Sequence, residues 1–158
     1  MIVQQETWFE DLEKARHHFK IADHMTYVTF SLLKENRLLI KILNEIYLSL
    51  KHLIRSILQY EYSFKRIPLY KDPNLNLKTF RQKIAPAYLT QEEMGKILQI
   101  LEIEKKHKES PLEFVRKEKF VIMINDRYEI LTIEKNKEFV VILRKLLEKV
   151  GERVNRVY

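Results

Sequence analysis

Few side chains in this sequence are able to do chemistry. It has five histidines (His17, His18, His24, His52 and His107) and no cysteine. Without cysteine there is no thiol nucleophile, no disulfide framework and no Cys-ligated zinc. Two glycines are too few for a P-loop or a GxGxxG turn, which need several to bring backbone N–H groups onto phosphate. Glu104-Lys-Lys-His107 has the Glu-x-x-His spacing of di-iron bundles. Such a centre takes two of these pairs and two further glutamates on facing helices, and no matching ladder is present. No metal and no cofactor is therefore expected, and no Ser-His-Asp arrangement can be read from spacing.

One cluster has acid–base potential: His107, Ser110, Glu113, Arg116, Lys117 and Lys119. A histidine beside cations can move protons on a phosphodiester while the cations stabilise the developing charge. His107 would be the acid/base, with Arg116 and Lys119 as electrostatic stabilisers. The competing reading is structural: Ser110-Pro111-Leu-Glu113 has the form of a helix start, and Arg116 and Lys117 are then solvated.

A second candidate is electrostatic. The 158-residue chain has 29 Lys+Arg against 22 Asp+Glu, a formal charge of +7. Residues 34–83 carry eleven basic and four acidic side chains, so the whole excess sits there and the remainder is neutral. Arg37, Lys41, Asn44, Lys51 and Arg55 recur at offsets of 4, 7, 14 and 18. At ~100° per residue they share one helical stripe roughly 80° wide, interrupted by Leu48 but by no acid. His52 adjoins it, and Tyr60, Tyr62, Lys65 and Arg66 continue its basic and aromatic character. Cations hold phosphates and tyrosines stack on bases, so the stripe fits RNA or a nucleotide. The alternative is a solvated outward face with the tyrosines in the core or at its rim.

The elements that must position these residues are mainly helices. Thr7-Trp-Phe-Glu10 reads as a capping box opening a helix from about residue 8 to the low thirties, with Trp8, Leu12, Ala15, Phe19, Ala22 and Met25 on one stripe. After a break near 34–37, a second helix spans about 37–64. Its apolar face is broad enough to touch more than one neighbour. Pro68, Pro73 and Pro86 punctuate 65–89, with a short helix expected over 76–84 capped by Asn76. Thr90-Gln-Glu-Glu93 opens a helix to about 108, and the Ser110 box predicts another short one. Phe120–Ile124 and Arg127–Leu131 around Asn125-Asp126 fit either a small β-hairpin or a connector. Thr132 caps a last helix over about 133–154, its end weakened by Gly151. The expected fold is all-α: one domain over 1–158, an antiparallel four-helix up-down bundle with short extra helices and a possible hairpin near 120–131. No apolar run approaches the ~20 residues of a membrane span. The first residues lack the basic start and apolar core of a leader, so a cytoplasmic chain is expected.

Leu43-Asn-Glu-Ile-Tyr47-Leu-Ser-Leu50-Lys-His-Leu-Ile54-Arg-Ser-Ile-Leu58 resembles the second helix of HEPN domains, which are small all-α bundles. Their first long helix carries spaced alanines, as Ala15 and Ala22 do here. The resemblance covers most of the chain in element order and length. It implies a dimerising bundle that acts on RNA or pairs with a nucleotidyltransferase. Active members carry Arg, four to six residues, then His, and that motif is absent: His24 stands one residue too far from Arg16, and His107 precedes Arg116. The leading expectation is therefore a non-catalytic HEPN-like bundle that binds RNA or a nucleotide through the basic face. Its rivals are a ribonuclease with a displaced His107/Arg116/Lys119 site, and a homodimeric module with a protein partner.

Overall fold

In the computed structural model, which describes residues 2–155, the order is α1 (Ile2–His24), a π-helical turn (Met25–Thr29), α2 (Phe30–Leu33), α3 (Leu38–Ser63), α4 (Pro73–Thr79), a second π-helical turn (Phe80–Ile84), a 3₁₀ turn (Ala85–Ala87), α5 (Gln91–Glu109), β1 (Leu112–Arg116), β2 (Lys119–Ile124), β3 (Arg127–Leu131) and α6 (Ile133–Asn155). The side chains of residues 1–6, read above for a leader, lie outside what it describes. The chain is mostly helical, with one three-stranded antiparallel sheet in the order β1-β2-β3. Among the described residues no helix is long and apolar enough to cross a membrane.

The core is built on α3. Leu39, Ile42, Leu43, Ile46, Leu50, Leu53 and Ile57 are all fully buried, as its broad apolar pattern requires. Burying each stabilises by about 1.5–3 kcal/mol. α1 lies along α3 in the opposite direction. Ser56 Oγ donates to Trp8 O and Ser49 Oγ to Ala15 O, both at 2.7 Å. These small residues let the two backbones approach, and the hydroxyls satisfy themselves on helix carbonyls. α6 runs parallel to α3: Asn136, at its start, donates from Nδ2 to Leu39 O at 3.1 Å, and Arg153, near its end, meets Glu61 at 3.2 Å. Arg144 ties α6 to Asp23 of α1 at 2.7 Å, and Lys145 ties it to Glu93 of α5 at 2.7 Å. Gly151 does not end α6. It is buried inside the helix, where a Cβ would stand 3.1 Å from the Arg16 guanidinium.

Several local expectations hold. Thr90 and Glu93 form the reciprocal capping box of α5. Lys34 leaves α2 in the left-handed region at φ 49°, which makes the break before α3. β2 and β3 form the hairpin, with Asn125 and Asp126 at φ 50° and 61°. That pair of left-handed residues is what a two-residue turn between twisted strands demands.

Three expectations are corrected. α1 is already helical at Ile2, so Thr7 lies inside it and the Thr7–Glu10 box does not open it. The short helix begins at Pro73, not 76. Asp72 caps it by accepting from Asn74 N at 2.9 Å, because Pro73 suits the first helical position. Finally, 112–116 is a strand, not a helix. β1 pairs with β2 from Leu112↔Met123 to Arg116↔Lys119, and Ser110 Oγ sits 2.5 Å from Met123 O. Glu113, the expected capping partner, turns to His107 instead. A non-local ladder has overridden a local signal.

Candidate functional site

The α3 stripe emerges as an exposed basic ridge. Arg37, Lys41, Lys51 and Arg55 are all exposed. On one flank of this ridge α3, α5 and residues 69–77 enclose a cleft of about 440 Å³. Lys51 and Arg55 line it, together with Tyr47, Tyr70, Leu77 and Leu101. Gln59 lines it too, and its Oε1 has no hydrogen-bond partner. Asn76, expected as a helix cap, holds Tyr70 in place instead: Tyr70 N donates to its Oδ1 at 2.8 Å and its Nδ2 donates to Tyr70 O at 2.7 Å. Tyr70 is thereby kept 44% exposed at the rim. A largely apolar cleft with aromatic walls and two cations suits a flat heteroaromatic group attached to phosphate.

Further along, the expected site breaks up. Tyr60 is buried at 4% exposure and stands edge-on to Trp8 with ring centroids 5.3 Å apart. It belongs to the core and cannot stack on a base. Tyr62 is exposed, and Lys65 is exposed at φ 59°. Arg66 is bound to buried Glu61 and lies over the Phe64 ring at 4.7 Å. That hydrogen bond raises the guanidinium pKa above its ordinary value. Arg66 instead lines a separate cavity of about 620 Å³ with Lys83, Tyr88, Lys149 and Arg153. Burial pushes the Tyr88 phenol up there.

The His107 group is not assembled either. His107 Nδ1 donates to Glu113 Oε2 at 2.5 Å. Arg116 and Lys119 pair at the β1–β2 turn, three residues further along the strand from Glu113, or about 10 Å. Asn36 Nδ2 donates to Lys117 O at 2.7 Å, so this turn docks beside the start of α3 and adds its cations to the Arg37 end of the ridge. Beneath His107, Glu104 is 2% exposed with Oε2 unpartnered, and burial raises its carboxyl pKa. Lys108 reaches it only at 3.8 Å.

On the other flank of the ridge stands a group that spacing alone did not suggest. His52 Nδ1 donates to Asp11 Oδ1 at 2.8 Å, and His18 Nδ1 donates to Glu45 Oε2 at 2.6 Å. The two rings are parallel within 5°, with centroids 5.9 Å apart. Arg55 Nε lies 3.8 Å from the second oxygen of Asp11. The signal was present: Asp11 and His18 are seven apart on α1, and Glu45 and His52 are seven apart on α3. An acid and a histidine two turns apart on each of two antiparallel helices pair off twice when the helices align. Among the described residues, no group of three or more acids and histidines has the arrangement to hold a metal ion. No protein-family model, no curated protein and no solved structure matches the chain.

Proposed function

We propose that this chain is an RNA-binding helical bundle that takes a single strand along the α3 ridge and a base or nucleotide into the adjoining cleft. One observation carries the reading: Lys51 and Arg55 are exposed on the ridge and also line the cleft bounded by Tyr47 and Tyr70. Phosphates along Arg37, Lys41, Lys51 and Arg55 would be held by charge, with no need for base recognition. A base at Tyr70 would add stacking. The resemblance to HEPN domains points the same way, and we read the four long helices as the up-down bundle that this resemblance implies. Of the basic and aromatic set expected earlier, Tyr60 takes no part, Arg66 is engaged elsewhere, and Tyr70 replaces them. Fluorescence anisotropy with a short single-stranded RNA tests this. Tyr70→Ala should weaken binding about 5- to 150-fold, the worth of one stacked base. Unchanged affinity in Tyr70→Ala and in Lys51→Glu would remove the cleft from the interface.

A dimeric reading has its own support. Tyr27, Val28, Leu32 and Leu33 are exposed, Leu32 at 78%. A second copy covering these would appear as twice the monomer mass in light scattering, and Leu32→Lys with Leu33→Lys would return the monomer.

A further inference from the structure

The paired histidines between α1 and α3 do more than join two helices. A carboxylate can only accept, so each ring must donate from Nδ1, and in the neutral ring the lone pair is left on Nε2. Neither Nε2 has a hydrogen-bond partner among the described residues. The side chains are 22% exposed at His18 and 16% at His52, so both rings reach solvent. The two stand side by side with their rings parallel and the ring centroids 5.9 Å apart.

The surroundings are cationic. Arg55 touches Asp11 and is also a ridge residue lining the cleft. Lys41 is on the same face of α3 as Glu45, one turn away, and exposed Lys14 lies between Asp11 and His18 on α1. The other group facing the rings is His17, whose ring is 5.4 Å from that of His18. Two oriented imidazoles flanked by cations are the parts that RNA self-cleavage needs, because the substrate brings its own nucleophile in the 2′-hydroxyl.

We propose that His18 and His52 are the catalytic acid–base pair of a ribonuclease site, with Asp11 and Glu45 as positioning residues. The proposal rests on the RNA-binding reading of the adjoining ridge. One neutral imidazole takes the 2′-hydroxyl proton on Nε2. The 2′-oxygen forms a bond to phosphorus, and the bond from phosphorus to the 5′-oxygen breaks. The other imidazole, protonated, gives its Nε2 proton to that leaving oxygen. The products are a 2′,3′-cyclic phosphate and a 5′-hydroxyl. The rings finish with their protonation states exchanged, and proton exchange with water resets them.

The test uses the full chain and a 5′-labelled single-stranded RNA, with binding read by anisotropy and cleavage read on a gel. Cleavage should leave cyclic phosphate ends, follow a bell-shaped pH–rate profile and cease when the 2′-hydroxyl at the cut is replaced by hydrogen. His18→Asn and His52→Asn keep an N–H donor where Nδ1 stands and remove Nε2. Each should lower the rate about 10²- to 10⁴-fold with RNA affinity unchanged. Tight binding without cleavage by the unmodified chain overturns the proposal and leaves the binding reading standing. Absence of both binding and cleavage overturns both. Cleavage at full rate in the two Asn variants, or of the 2′-deoxy substrate, also overturns the proposal. Should an Asn variant fail to fold, the pH profile and the 2′-deoxy substrate decide it on the unmodified chain.

Discussion

Reversing Lys41 and Lys51 together should change how RNA binding responds to salt, by an amount the structure sets. Both side chains are exposed, and neither makes an ion pair among the described residues, so Lys41→Glu with Lys51→Glu leaves the fold untouched. Arg55 stands 18 positions after Arg37, the cap residue of α3, which makes about 27 Å of ridge. If all four cations each neutralise one phosphate, log K falls against log salt with a slope of about −2.8 for a single strand. Affinity then drops about 50-fold between 50 and 200 mM salt. Arg55 shares its charge with Asp11 at 3.8 Å, so a count of three is the lower bound, with a slope of about −2.1 and a drop of about 20-fold. The double reversal removes two contacts and should bring the slope to about −1.4 or shallower. Anisotropy titrations at four or five salt concentrations measure it. Lys20→Glu, exposed on the far side of α1, serves as the control and should leave the slope alone. A flat slope in the unmodified chain, or the same slope in the double variant and the control, would refute the reasoning.

Three further outcomes concern stability. Glu104 has its pKa raised by burial, so the folded state binds that proton more tightly than the unfolded chain. Its contribution is fully present below the unfolded carboxyl pKa and is lost as pH rises through the folded one. Glu104→Gln should therefore match the unmodified chain in acid and gain in Tm relative to it toward neutral pH, as followed by circular dichroism. Asn136 is fully buried and donates to Leu39 O, so Asn136→Ala removes that bond between α6 and α3 and should cost about 0.5–1.5 kcal/mol in urea denaturation. Asp126 stands at φ 61°, where glycine has no Cβ to crowd, so Asp126→Gly should stabilise the hairpin by about 0.5–1 kcal/mol in the same assay.

Signals contained within a few residues were readable in the sequence. Thr90-x-x-Glu93 caps a helix because both partners lie on the same turn, and Asn125-Asp126 turns a hairpin because both tolerate the left-handed region. The α3 ridge was equally legible, since a helix of fixed pitch maps spacing directly onto a face. Ser110-Pro111-Leu-Glu113 carried the same kind of signal and misled. Strand pairing with Lys119–Ile124 offers 112–116 a full ladder that no local motif reveals. Tyr60 was assigned to the ridge from its position at the helix end, yet Trp8 of another helix claims it.

The charge excess in 34–83, the lack of thiol and phosphate-loop chemistry, and the helical class follow from residue type and period alone. Tertiary structure decided what those helices bring together. Asp11 meets His52 and His18 meets Glu45 only because Ser49 and Ser56 dock on the carbonyls of Ala15 and Trp8, which sets the alignment of α1 on α3. A slip of one residue would turn each partner by about 100° and separate both pairs. Spacing along one helix places residues on a face. Which residues meet across two helices is set by packing between segments 27 to 48 positions apart.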